Sequence, residues 1–293
     1  MNFMDDYIVS SKLSQEDPSD CCLLWHFLTC HDYLFLTTDL KARKNHRKNL
    51  PFKPNSDLTS VQQDNPQLID FIRHNFINPP GTLAESNTQQ VTATTYQDGR
   101  TMTENWRLNR VGALFRNKTD GVFVDVGAYG DNNFSMTEYL EDALNWSGLL
   151  IQPDPVIYNN LLLRKRSQSF SANTCVSPTQ YPREVSFKNP REESKTQTTV
   201  EYKRVFCFPL YSLLLAYNST KIDLMCINAH GFEFQVLRTL PWPKIDITAL
   251  SIACNKQDRI VWKKLTYLLE SQSYKLMTDF SNENYQVFLK ISK

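Results

Sequence analysis

Residues 121–155 read GVFVDVGAYGDNNFSMTEYLEDALNWSGLLIQPDP, and their pattern decides the fold class. Gly121–Val126 is a short apolar run rich in β-branched residues, long enough for a buried strand and too short for a helix. It ends in Asp125-Val126-Gly127-Ala128, where small residues let the backbone turn closely beneath a ligand. From Phe134 to Trp146 the apolar residues Met136, Leu140, Ala143 and Leu144 recur at helical spacing. Ser135 and Glu138 ahead of them have the form of a capping box. Gly148–Ile151 is a second apolar strand, closed by Gln152-Pro153-Asp154-Pro155. A strand–loop–helix–strand unit of this length opens a doubly wound nucleotide-binding sheet, whose ligand lies beyond the carboxyl ends of the strands. The informative residues are therefore Asp125 to Asn133 and Gln152 to Asp154.

The flanking sequence continues the alternation. Residues 156–166 predict a helix, 170–176 a third strand, 222–227 a fourth and 245–253 a fifth. Helices are expected at 232–240 and 259–270, and a closing antiparallel pair at 274–278 and 285–291. The polar stretch 178–204 reads as an insertion or hairpin around Val185–Phe187 and Val200–Tyr202, and a helix should follow Pro209. Upstream, 64–76 has helical spacing at Leu68, Ile69, Ile72 and Phe76, and 104–117 should be a helix leading into the first strand. The expected class is α/β: a doubly wound, mostly parallel, Rossmann-like sheet with helices on both faces and an N-terminal helical extension.

Composition narrows the function. The net charge of +1 offers no bulk field for nucleic acid or an acidic substrate. Seven cysteines without a C-x-x-C pair and five scattered histidines argue against a metal site. Cys226 and Cys254 fall in expected strands, where a free cysteine is a small buried hydrophobe. Residues 1–56 read as a tail, with an apolar segment at 21–36 and a basic tract at 41–48. The apolar run is shorter than a membrane helix needs and is broken by His26, His31 and Asp32. An amphipathic or partner-binding helix is the expectation there, with a membrane span as the alternative. Residues 57–293 form the main domain, a lead-in at 57–118 followed by the core at 119–293. Four N-x-S/T sequons begin at Asn117, Asn133, Asn145 and Asn218, and they matter only if the domain is luminal.

Across residues 57–290 the chain resembles the FkbM-type S-adenosylmethionine (SAM)-dependent methyltransferase domain, in the animal Star-like branch that includes the insect protein Star. The resemblance rests on Val124-Asp125-Val126-Gly127-Ala128-Tyr129, on Gly148 to Pro155 and on Ile227 to Gly231. It implies a cofactor site made of Asp125, Gly127, Ala128, Tyr129, Gly130, Asp131, Gln152 and Asp154.

The chain departs from the family pattern at the functional positions. The family's Y-D-G is here Tyr129-Gly130-Asp131. The acid of I-E-P-D-P, which would accept both ribose hydroxyls, is Gln152. The two acids of L-D-V-E-G are replaced by Asn228 and His230. His230 has a side chain suited to general-base work, but no acidic partner is evident. A retained fold with altered chemistry implies a non-catalytic, Star-like protein with SAM as a conditional cofactor or none. The same resemblance implies a protein partner and trafficking of membrane growth-factor precursors in the endoplasmic reticulum, Golgi and endosomes. The partner surface is expected on 206–217 or 68–76. If the apolar segment does not insert into a membrane, a cytoplasmic location follows. The rival reading is an active SAM-dependent O-methyltransferase with Asn228 and His230 beside its acceptor.

Overall fold

The computed structural model describes residues 58, 60–81, 113–129, 135–188, 202–254, 258–281 and 285–291. Helix α1 is Pro66–Asn75 and is followed by the short strand β1, Ile77–Asn78. The decisive stretch folds as β2 (Val122–Val126), α2 (Met136–Leu144) and β3 (Ser147–Ile151). Next come α3 (Pro155–Leu163), β4 (Ser169–Ala172), β5 (Cys175–Val176), β6 (Arg183–Lys188) and β7 (Tyr202–Phe208). The chain then forms α4 (Leu210–Tyr217), β8 (Lys221–Ile227), α5 (Glu233–Thr239) and β9 (Asp246–Ala253). It ends with α6 (Arg259–Ser271), β10 (Tyr274–Leu276) and β11 (Tyr285–Lys290). The expected lead-in helix at 104–117 and the apolar segment at 21–36 lie mostly or wholly outside the described residues. Among those described, no helix is long and apolar enough to cross a membrane.

The main sheet has the order β1-β4-β3-β2-β8-β9-β11-β10. Strands β4, β3, β2, β8 and β9 run parallel, while β1, β11 and β10 are antiparallel additions at the edges. This is the expected α/β class. The chain winds outward from β2 through β3 to β4, then returns to place β8 on the other side of β2. The order therefore reverses between β2 and β8, and such a switch point is where open α/β sheets carry their ligand crevice.

Alternation along β2 assigns its side chains to two cores. Val124 and Val126 join Leu149, Ile151, Phe208, Met225 and Ile227 on one face, under α1 and α4. Phe123 joins Leu140, Trp146, Leu150 and Leu224 on the other, under α2. Helix α1 starts where Asn65 accepts the Gln67 and Leu68 N–H groups, and it buries Leu68 and Ile72 completely. Helix α4 has almost no polar face, with Leu210, Tyr211, Ser212, Leu213, Leu214 and Ala216 buried. Arg73 of α1 closes its carboxyl end by donating to the carbonyls of Ala216 at 3.1 Å and Leu215 at 3.1 Å. Phe71 and Phe76 stack edge-on against Phe208, with Phe206 beside Phe76. The two segments expected to offer a partner surface thus largely cover one another. Their apolar residues are core, because neither helix can leave them in water.

The third strand differs from expectation. The stretch read as one strand at 170–176 breaks at Asn173-Thr174: β4 stays in the main sheet and β5 leaves it. Strand β5 pairs in parallel with β7, and β6 with β7 antiparallel, as a separate sheet of order β5-β7-β6. The expected hairpin is present, but β7 runs on through Phe206–Phe208 before the helix. Cys175 and Cys207 are register partners in this sheet and are disulfide-bonded. Cys226 is a free, buried thiol, as read from the sequence, whereas Cys254, expected to be buried too, is half-buried at the end of β9.

Candidate functional site

The crevice at the switch point is framed by the carboxyl ends of β2, β3 and β8. Each framing element delivers a candidate residue, and the protein engages most of them itself. Asp125 is 8% exposed at the end of β2. Its Oδ2 accepts from Ser135 Oγ at 2.7 Å and Thr137 Oγ1 at 3.1 Å, which pins the strand to the start of α2. Burial pushes this carboxyl above its usual range, against the pull of the two hydroxyls and of Arg166. Ser135 is also the N-cap of α2, accepting the Thr137 N–H at 3.2 Å.

Gly127 has φ of +77°, and a Cβ there would overlap the Asn228 carbonyl oxygen. The small residue therefore makes room for the β8 backbone; Asn228 N–H also donates to the Val126 carbonyl at 2.9 Å. Ala128 is buried, and its N–H donates to the Ile151 carbonyl at 3.3 Å. Tyr129 follows with φ of +59° and is buried, its hydroxyl accepting from Arg166 Nη1 at 2.8 Å. Desolvation raises its phenol well above the ordinary value. Gly130 and Asp131 lie outside the described residues.

Gln152 is fully buried. Its Nε2 donates to the Ala128 carbonyl at 2.6 Å, and its Oε1 accepts the Asp154 N–H at 2.9 Å. An ionised carboxylate could not do both, because it has no proton to give. The residue that the family pattern points at a ribose instead ties the first ligand loop to the second. Asp154, 2% exposed, starts α3: its carbonyl accepts the Tyr158 N–H at 2.8 Å and its Oδ1 the Ile157 N–H at 3.4 Å.

Beyond β8, Asn228 is half-buried, while His230 is exposed with φ of +48° and precedes Gly231 at +95°. The turn is organised by Glu233, which sequence reasoning passed over. Its buried carboxylate accepts the N–H groups of Ala229 at 2.8 Å and Gly231 at 3.0 Å. Burial pushes this carboxyl upward, against those N–H groups. A concavity of backbone donors that could receive an anion is filled by the chain's own acid. The signal was present in the sequence, since a Glu two residues after a turn glycine opens α5.

Sequence reasoning also missed the hub behind the first loop. Arg166 donates through Nε to Glu141 Oε2 at 2.7 Å and through Nη2 to the Thr137 carbonyl at 3.0 Å, besides its bond to Tyr129. Glu141 further accepts from Ser169 Oγ and from the Gln168 N–H at 2.8 Å. Burial would raise the Glu141 carboxyl, but Arg166 and these donors outweigh it and hold it below the usual range. The network joins Asp125, Ser135, Thr137, Tyr129, Glu141, Arg166 and Ser169 into one buried polar layer. The structure thus couples Asp125 with Tyr129, Gly127 with Asn228, and Ala128 with Gln152 and Asp154. His230 sits on the outer lip.

The model of the methyltransferase FkbM domain matches residues 125–276, just over half of the chain. No curated protein matches it. Among solved structures, methyltransferase FkbM from Methylobacillus flagellatus KT is 13% identical. That match covers 58% of this chain and 43% of that one, with a TM-score of 0.37. Precorrin-6y C5,15-methyltransferase from Geobacter metallireducens GS-15 is 10% identical over 71% of this chain and 95% of its own, with a TM-score of 0.37. Fibrillarin from Aeropyrum pernix, solved with natively bound S-adenosyl-L-methionine, is 10% identical over 63% and 76%, at 0.36. This chain therefore spans less than half of the FkbM structure it matches.

Proposed function

The chain belongs to the methyltransferase FkbM domain family, and we propose that it is a non-catalytic member that works in the secretory pathway through protein contacts. The observation that carries this reading is the Gln152 amide held between Ala128 and Asp154. A charge-assisted hydrogen bond contributes about 1.5–3 kcal/mol and a neutral one about 0.5–1.5 kcal/mol, so the lost acid alone weakens ribose binding. Turning Gln152 toward a ribose would also strip a buried carbonyl and a buried N–H of their partner. Each loss costs about 1–3 kcal/mol, roughly fivefold to over a hundredfold in affinity. The residues present therefore do not fit SAM as a resident cofactor, and no methyl-transfer step is assigned to them.

The Cys175–Cys207 bond supports the compartment, because disulfides persist in the oxidising lumen and are rare in the cytosol. Resemblance to Star supports a role in moving membrane growth-factor precursors between the endoplasmic reticulum, Golgi and endosomes.

Calorimetric titration of the full chain with SAM and with its demethylated product tests the reading. No heat of binding is expected up to millimolar ligand. Micromolar binding accompanied by methyl transfer would replace this reading with an active O-methyltransferase, and His230 would then be the first residue to change.

A further inference from the structure

Three of the four sequons occupy equivalent places in the fold. Asn117 precedes β2, Asn145 precedes β3 and Asn218 precedes β8, and these strands are neighbours in the order β3-β2-β8. Each asparagine is exposed. Each adopts the left-handed backbone of a turn, with φ of +55°, +58° and +67°; Asn145 and Asn218 cap the ends of α2 and α4. The three turns meet at one rim. The Asp120 N–H donates to the Leu144 carbonyl at 3.0 Å, Trp146 Nε1 to the Lys118 carbonyl at 2.6 Å, and Lys118 Nζ to Asp223 at 2.6 Å. This rim is the amino-terminal end of the parallel strands, opposite the crevice.

We propose that Asn117, Asn145 and Asn218 carry N-linked glycans, which clothe this rim. The inference rests on the secretory reading above. Single sequons arise by chance, but chance gives no reason for three to fall exposed ahead of three adjacent strands. The donor is a lipid-diphosphate-linked oligosaccharide. A bond forms from the asparagine Nδ2 to the anomeric carbon as the carbon–oxygen bond to the diphosphate breaks. The lipid diphosphate leaves with that electron pair, and the amide loses one proton. Asn145 keeps its fold contacts after the change: its amide retains one hydrogen for Asp120 and its Oδ1 still accepts from Gln168 Nε2 at 2.6 Å.

The test is to purify the full chain from animal cells and release its glycans with peptide N-glycanase in heavy-oxygen water. Mass spectrometry then locates each asparagine converted to labelled aspartate, and the state of Cys175 and Cys207 is mapped in the same digest. Label at all three rim asparagines is expected, and one that stays unlabelled is struck from the inference. Thr119→Val and Thr220→Val, which keep the asparagine and remove the sequon hydroxyl, should each abolish the label at their own site. An unlabelled rim with the disulfide intact overturns the glycan inference and leaves the secretory reading standing. An unlabelled rim with both cysteines as free thiols overturns both.

Discussion

Gln152 shows how a single atom can change the character of a site. Its nitrogen, set where the family pattern has a carboxylate oxygen, turns an acceptor aimed at a ligand into a donor aimed at Ala128. Gln152→Glu should therefore not be benign. At pH 8 the introduced carboxylate would face a carbonyl with no proton to share, and about 1–3 kcal/mol of stability should be lost. Protonated, the same group can donate, so its folded-state pKa lies above its unfolded one. Its contribution is then fully present below the unfolded value and fades as pH rises through the folded one. Urea midpoints should show a smaller deficit at pH 5 than at pH 8, and equal deficits would place the new side chain away from Ala128. The position of this residue was visible in the sequence, since Gln152 interrupts a recognisable run. Its partner was not, because Ala128 is brought to it only by the pairing of β2 with β3.

Among the elements, α2 is held to the first loop and to β4 by one buried cation. Arg166 and Glu141 are 4% and 1% exposed at their side chains, so each is costly to leave alone. Arg166→Met should destabilise by about 3–5 kcal/mol, because the Glu141 charge then loses its partner. Adding Glu141→Leu should recover much of that loss, and a double-mutant cycle by chemical denaturation measures it. Recovery below the experimental error would mean that Tyr129 and Thr137, not the ion pair, dominate the layer. The pH sign differs within this layer. Glu141 is held low, so its contribution is present above the unfolded carboxyl value and is lost as pH falls through its folded one. Asp125 is held high by burial, so its contribution is present below the unfolded value and declines as pH rises. Helix α2 itself was legible from apolar spacing, whereas no local pattern pairs Arg166, just beyond α3, with Glu141.

For the whole molecule, the second sheet is the main departure from a plain doubly wound design. The Cys175–Cys207 bond closes a separation of 32 residues, which in the chain-entropy model corresponds to about 3–4 kcal/mol. Reduction should lower the urea midpoint accordingly, and an unchanged midpoint would show that β5-β7-β6 holds without its bond.

The sequence by itself determined most of the strands and helices, the doubly wound, mostly parallel class and the places where the site would be sought. Those properties follow from local periodicity: alternating or continuous apolar runs, helical spacing and capping residues, all written within a few neighbours. The tertiary structure alone decided what each site residue touches. Ala128 meets Gln152, Gly127 meets Asn228, Glu141 meets Arg166 and Cys175 meets Cys207 across gaps of chain that no local pattern encodes. A buried polar group takes whichever partner folding brings within reach, because leaving it unpaired costs about 1–3 kcal/mol. That choice is made only once the sheets and helices have packed.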